Sequence, residues 1–299
     1  MKNRSIRLTA LLALTAGLAW SGAAQAYWSL DTTPTATIND SAATAQNPYT
    51  VKMSGFYVGN ATTNNKLTGK WTSGSLTQWS GNGQGMYSGT DNGSPYHALD
   101  NNQNTEGVLL SFSASTVLNS IGLGFTATTG AAEYGCVSGG AVIGTVAGSG
   151  SCAKGSKTSD VTVDISVFRW TGTTAPTLAG TVAGTMGGWE LVGNYGDMIK
   201  DTSNPYNLVN SEGKTSSWWL ITAYNSGFTQ SSGTENRGSL TNSDDYFKLF
   251  AAAGTKCTST VSATGVCGGS SVPEPATLAL ASVALLGVAG LRRRQSKAA

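Results

Sequence analysis

Charge is scarce in this chain. Of 299 residues, 18 are Lys or Arg and 16 are Asp or Glu, so charged side chains make up 11%, against about 25% in ordinary soluble domains. Seven of the basic residues (Lys2, Arg4, Arg7, Arg292, Arg293, Arg294 and Lys297) lie in the two ends, against one acid there, Glu274. The body between them holds 11 basic and 15 acidic residues and is net −4. It offers no basic patch of the kind nucleic-acid binding requires, so no nucleic-acid partner is expected. Histidine is nearly missing. A Ser-His-Asp triad would have to use His97, the only one, and no G-x-S-x-G elbow accompanies it. One histidine also cannot build a His-rich zinc site. There is no C-x-x-C and no D-x-D-x-D-G calcium loop, so Asp91, Asp100, Asp160, Asp244 and Asp245 read as turn residues. No amphipathic helix is evident in the body. These absences lead us to expect no enzyme, no cofactor and no metal.

The ends are informative. Lys2, Arg4 and Arg7 precede an apolar run from Leu8 to Ala19, and Ala24-Gln25-Ala26 follows. That is the pattern of a secretory signal peptide over 1–26, handled by the general secretion machinery and cut after Ala26 to leave Tyr27 first. At the other end Val272-Pro273-Glu274-Pro275 leads into an uncharged run of 16 residues from Ala276 to Leu291, then Arg292-Arg293-Arg294. As a helix the run reaches about 24 Å, short of the roughly 30 Å hydrocarbon core. The arginines keep their side cytoplasmic, which places the body on the other face. The prolines hold the chain extended beside the membrane. A processing enzyme could grip such a neck; a plain tail anchor would have the same parts.

The Pro-Glu-Pro triplet, the short apolar helix and the Arg cluster resemble the PEP-CTERM sorting signal, here over 272–299. The resemblance implies that exosortase, a membrane-embedded transpeptidase, reads Val272, Pro273, Glu274, Pro275, Arg292, Arg293 and Arg294, cuts near the motif and passes the protein outward. The implied life history is export through the inner membrane of a Gram-negative bacterium, transient anchoring, and release to the cell surface or extracellular matrix. Blocks at Ser94–Asn102, Asp164–Gly172, Gly188-Trp189, Ser217–Asn225 and Asp245–Leu249 also resemble a group of exosortase-dependent surface proteins without an assigned reaction.

The body reads as all-β. Val161, Val163, Ile165 and Val167 alternate with Thr162, Asp164 and Ser166, and Val117, Asn119, Ile121, Leu123 and Phe125 alternate with mostly small residues. Period two places one set on a core and the other outward. Aromatic and β-branched runs at Gly188–Tyr195, Ser217–Tyr224 and Asp245–Phe250 continue the pattern. We expect an antiparallel β-sandwich of jelly-roll type over 27–254, with an irregular lead-in over 27–50 and a Gly/Ser/Thr linker over 255–271. A signal helix and a transmembrane helix flank it. The four cysteines allow three connectivities. Cys136 with Cys152 and Cys257 with Cys267 are expected to pair as local disulfides after export, since each pair brackets a Gly/Ser-rich loop.

Candidate ligand contacts are aromatic. Trp71, Trp79, Trp218 and Trp219 could stack on sugars, and adjacent Trp218 and Trp219 must face opposite ways in a strand. The scattered Glu106, Glu133, Glu190, Glu212 and Glu235 are the source of any carboxylate pair for glycoside hydrolysis. The expected role is structural or adhesive, with extracellular polysaccharide as partner. A carbohydrate-binding module is the alternative, and a secreted carboxylate-dependent glycoside hydrolase the third.

Overall fold

The structure, a computed structural model, describes residues 26–41, 49–87, 97–129, 132–138, 141–200 and 207–268. The signal helix, the transmembrane helix, Ala24 and the whole sorting motif lie outside the described residues. Among those described, every regular element is a strand and no helix is long and apolar enough to cross a membrane.

The strands run β1 (Ala26–Ser29), β2 (Ile38–Asn39), β3 (Thr50–Gly59), β4 (Thr62–Thr63), β5 (Lys66–Leu67), β6 (Thr72–Trp79), β7 (Gly83–Tyr87), β8 (Leu99–Asp100) and β9 (Asn104–Thr128). They continue with β10 (Glu133–Ser138), β11 (Ala141–Ala147), β12 (Ser156–Val161), β13 (Val163–Trp170), β14 (Trp189–Met198), β15 (Asn207–Leu208), β16 (Ser216–Ala223), β17 (Glu235–Arg237) and β18 (Asp245–Lys256). The all-β, antiparallel expectation holds, with one short parallel pairing, β14 with β17.

One strand organises the rest. β9 is 25 residues long. Its first half pairs with β3 on one side and β16 on the other, and its second half pairs with β18. β18 also meets β7, β7 meets β6 and β6 meets β3, so the sheet closes into a small barrel-like ring. From β9 the same sheet extends through β16, β13 and β14 to β17. β10, β11 and β12 form a separate three-stranded sheet.

Alternation along β16 divides the apolar side chains between two cores. Trp219, Ile221 and Ala223 enter the larger one, with Val108 and Leu110 of β9 and Val163, Ile165 and Val167 of β13. Leu220 enters the second, with Phe168, Trp189 and Leu191. The central strands are thus covered on both faces. This is why Asp164 and Ser166, expected to point outward, are buried.

The structure corrects three boundaries. Residues 27–50 are not simply irregular: β1 pairs with β18, Trp28 is fully buried, and its Nε1 donates to the Tyr49 carbonyl at 3.0 Å. The linker expected over 255–271 is ordered as far as it is described: Thr255 and Lys256 finish β18, and a disulfide-closed loop follows. On β9, Leu118 rather than Val117 is in the core. The register opposite β18 skips Asn119 there, and such a bulge exchanges inner and outer faces.

Candidate functional site

A groove of about 770 Å³ lies where β13 ends and β14 and β16 begin. Its floor is built by cross-strand pairing. Arg169 of β13 stands opposite Glu190 of β14 and Trp219 of β16, and its guanidinium ion-pairs with Glu190. Arg169 is 7% exposed. It also donates from Nη1 to the Thr215 carbonyl at 3.2 Å and from Nη2 to the Thr264 carbonyl at 3.1 Å.

Lys214 completes the cluster. Its Nζ lies 2.9 Å from Glu190 Oε1 and 3.0 Å from Glu212 Oε2, and it donates to the Gly233 carbonyl at 2.9 Å. Burial alone would lower the ammonium pKa, but the two carboxylates outweigh it and raise it. Asn210, in a left-handed conformation, fixes the turn that carries Lys214. Its side chain donates to the Lys214 carbonyl at 2.7 Å and accepts from the Lys214 N–H at 2.9 Å.

One wall comes from the stretch expected to be a linker. The Cys257–Cys267 disulfide closes this loop. The loop is held by pairing of Lys214 with Val266 and by the Thr215 N–H donating to the Gly265 carbonyl at 2.8 Å. Gly265 has φ +80°, and a Cβ there would collide with the Arg169 guanidinium, so only glycine fits. Two half-buried indoles, Trp170 and Trp218, also line the groove, with Ser and Thr hydroxyls around them. Trp170 is fixed by its Nε1 donating to the Thr174 carbonyl at 2.7 Å. The Ser216 hydroxyl links the two tryptophan segments, donating to the Trp170 carbonyl at 2.8 Å and accepting from the Trp218 N–H at 3.0 Å. Two basic and two acidic side chains make the groove neutral overall.

The four candidate tryptophans therefore separate. Trp218 is in the groove. Trp219 is in the core, with Nε1 donating to the carbonyls of Thr116 at 3.2 Å and Ser216 at 3.0 Å. Trp71 is also core, stacked at 6.3 Å on Phe228, so neither can stack on a ligand. Trp79 is on the surface away from the groove, stacked at 5.1 Å on His97 with Lys248 Nζ 4.6 Å from its ring. Of the glutamates, Glu190 and Glu212 meet at Lys214, whereas Glu235 accepts from Tyr195 Oη at 2.8 Å elsewhere. Sequence reasoning missed Trp170 and Arg169. Their signal was the abrupt end of the most regular strand at an aromatic residue followed by Thr-Gly-Thr-Thr. The cysteines pair as expected, Cys136 with Cys152 and Cys257 with Cys267.

A second polar site is buried. Asp164 and Asp245 line a cavity of about 30 Å³ with Glu133, Thr241 and Ser243. Burial pushes the Asp164 carboxyl up to about 6, although the Thr241 N–H donates to its Oδ2 at 2.6 Å. Burial, reinforced by the neighbouring Asp164 charge, pushes Asp245 up to about 9. Asp245 Oδ2 has no hydrogen-bond partner. Among the described residues no group of three His, Cys, Asp or Glu side chains is placed to hold a metal ion.

Comparison with known proteins bears on the tail. No curated protein and no solved structure matches the chain, so the resemblance of the body to a surface-protein group rests on its sequence blocks alone. A family model for the PEP-CTERM protein-sorting motif matches residues 271–294. That match implies export, transient membrane anchoring and processing by exosortase. The chain carries a PEP-CTERM protein-sorting motif and is an exosortase-targeted exported protein.

Proposed function

We propose that this protein is delivered to the cell surface or extracellular matrix, where its β domain acts as a non-catalytic adhesive module that holds polysaccharide in the Trp170/Trp218 groove. The observation that carries this reading is the pairing of two half-buried indoles with a neutral, hydroxyl-rich floor. Indole faces cover the apolar faces of sugar rings, while fixed polar groups select their hydroxyls. The two local disulfides suit an oxidising location outside the cytoplasm.

Glycan-array or polysaccharide pull-down binding tests the reading. Trp218→Ala is expected to weaken binding about tenfold or more, the loss usual for a buried aromatic anchor, with the fold intact by circular dichroism. Undiminished binding would remove the groove from the account. Hydrolysis is the second reading, favoured by the convergence of Glu190 and Glu212 on Lys214. Glu190 is committed to Arg169 as well as Lys214, which suits a structural clamp better than a proton shuttle. Release of reducing sugar that stops in both Glu190→Gln and Glu212→Gln would favour hydrolysis instead.

A further inference from the structure

The backbone around the expected signal cleavage point has a feature that export does not explain. The Tyr27 nitrogen donates to Asp40 Oδ1 at 2.9 Å, and the Tyr27 carbonyl accepts from the Ser41 N–H at 3.0 Å. Asp40 is fixed in turn, its own N–H donating to the Tyr49 carbonyl at 2.8 Å. Among the described residues, the other hydrogen bond to its carboxylate is a long one, 3.5 Å from the Ser41 hydroxyl. Among the described residues no basic side chain ion-pairs with it. The carboxylate therefore faces a backbone nitrogen that is a neutral amide in the precursor.

We propose that cleavage after Ala26 completes the fold by turning the Tyr27 nitrogen into an ammonium ion that the Asp40 carboxylate holds. The step is hydrolysis by a secretory peptidase. Water adds across the Ala26–Tyr27 peptide bond, the Ala26 carbonyl carbon takes the oxygen to become a carboxylate, and the Tyr27 nitrogen leaves with the protons. The amide-to-carboxylate hydrogen bond becomes a charge-assisted one. The new terminus is thereby pinned beside Trp28 and Leu30, which are fully buried.

The structure also orders the events. In β1, Ala26 is buried and paired with Gly254, and Tyr27 is paired with Ala253. A peptidase needs the scissile bond extended and accessible, so it must act before β1 docks. The partner strand β18 lies near the opposite end of the domain and is exported last. Cleavage on an early-emerging segment and docking on a late one follow in that order.

This inference rests on export with cleavage after Ala26, and two measurements separate its failure from failure of that reading. The first is the N-terminal mass of the exported protein: a start at Tyr27 is required, and a start elsewhere overturns the cleavage assignment. The second is thermal unfolding of chains beginning at Tyr27 and chains retaining Ala24-Gln25-Ala26, each with and without Asp40→Asn. Asparagine keeps an acceptor for the neutral amide and removes the charge. Asp40→Asn is expected to lower the melting temperature about 2–4 °C more in the Tyr27 chain than in the extended one. Equal drops in the two backgrounds would overturn the proposal.

Discussion

Replacing Arg169 with Met is expected to lower the stability of the domain by about 3 kcal/mol, the lower end of the range for breaking a buried ion pair from one side. For a domain of this size that is a fall in melting temperature of about 6–12 °C. The reason is that Arg169 serves three partners at once: Glu190, the Thr215 carbonyl and the Thr264 carbonyl. Methionine fills much of the volume but leaves two carbonyls without a donor and Glu190 dependent on Lys214 alone. Arg169→Lys should restore little, because a single ammonium cannot span the positions that the planar guanidinium reaches. Groove binding should fall in both variants, since Thr264 belongs to the groove wall. Differential scanning calorimetry checks the first part, and unchanged melting in Arg169→Met would show that the cluster does not support the wall.

The second large effect concerns pH. Asp164 and Asp245 are held above the ordinary carboxylate range, to about 6 and about 9, chiefly by burial. In the unfolded chain both titrate near 3.9. Between that value and the folded one the folded state binds more protons, so stability falls as pH rises. The fall begins near pH 4, loses the Asp164 part by about pH 6 and continues for Asp245 to about pH 9. This is opposite to the behaviour of a salt-bridged carboxylate. Asp245→Asn removes the titrating group and should flatten the decline between pH 6 and 9. At pH 8 the variant should be more stable, by on the order of 2 kcal/mol, because the wild-type carboxyl must take up a proton on folding and the amide need not. Melting curves across pH 4–9 for both proteins check the sign. A wild-type domain that gains stability from pH 5 to 8 would contradict it.

The two buried carboxyls also show where sequence reading stopped. Val161 ends β12 in the separate sheet, but the alternation correctly identified the strand β13 and its apolar residues Val163, Ile165 and Val167. It could not show that the sheet is covered on both faces, which places Asp164 inside rather than in solvent. The same limit applies to the Trp218/Trp219 pair. Opposite orientation was legible from a two-residue period, but which indole faced the groove depended on the two cores. β1 was illegible because four residues carry too little periodicity, and its partner is at the far end of the domain. The 255–267 segment has the composition of a flexible linker. Its order comes from a disulfide and from contacts with Arg169 and Lys214, none of which local composition reports. The groove is assembled from segments distant in sequence, so its parts were visible singly and its existence was not.

The tail was legible almost entirely, because its message lies in local chemistry: a proline-bounded acid, a short apolar run and a basic stop. The tail and the signal together hold seven basic residues and one acid, so their loss takes a precursor of net +2 to a body of net −4. Delivery is carried by residues 271–294, whereas the binding proposed above would be carried by a groove on the β domain.

Intact-mass determination of the protein recovered from the cell exterior tests the central claim most directly. Processing by exosortase predicts a mature chain that ends near Pro275 and lacks Arg292, Arg293 and Arg294. A surface form that retains those arginines would contradict it.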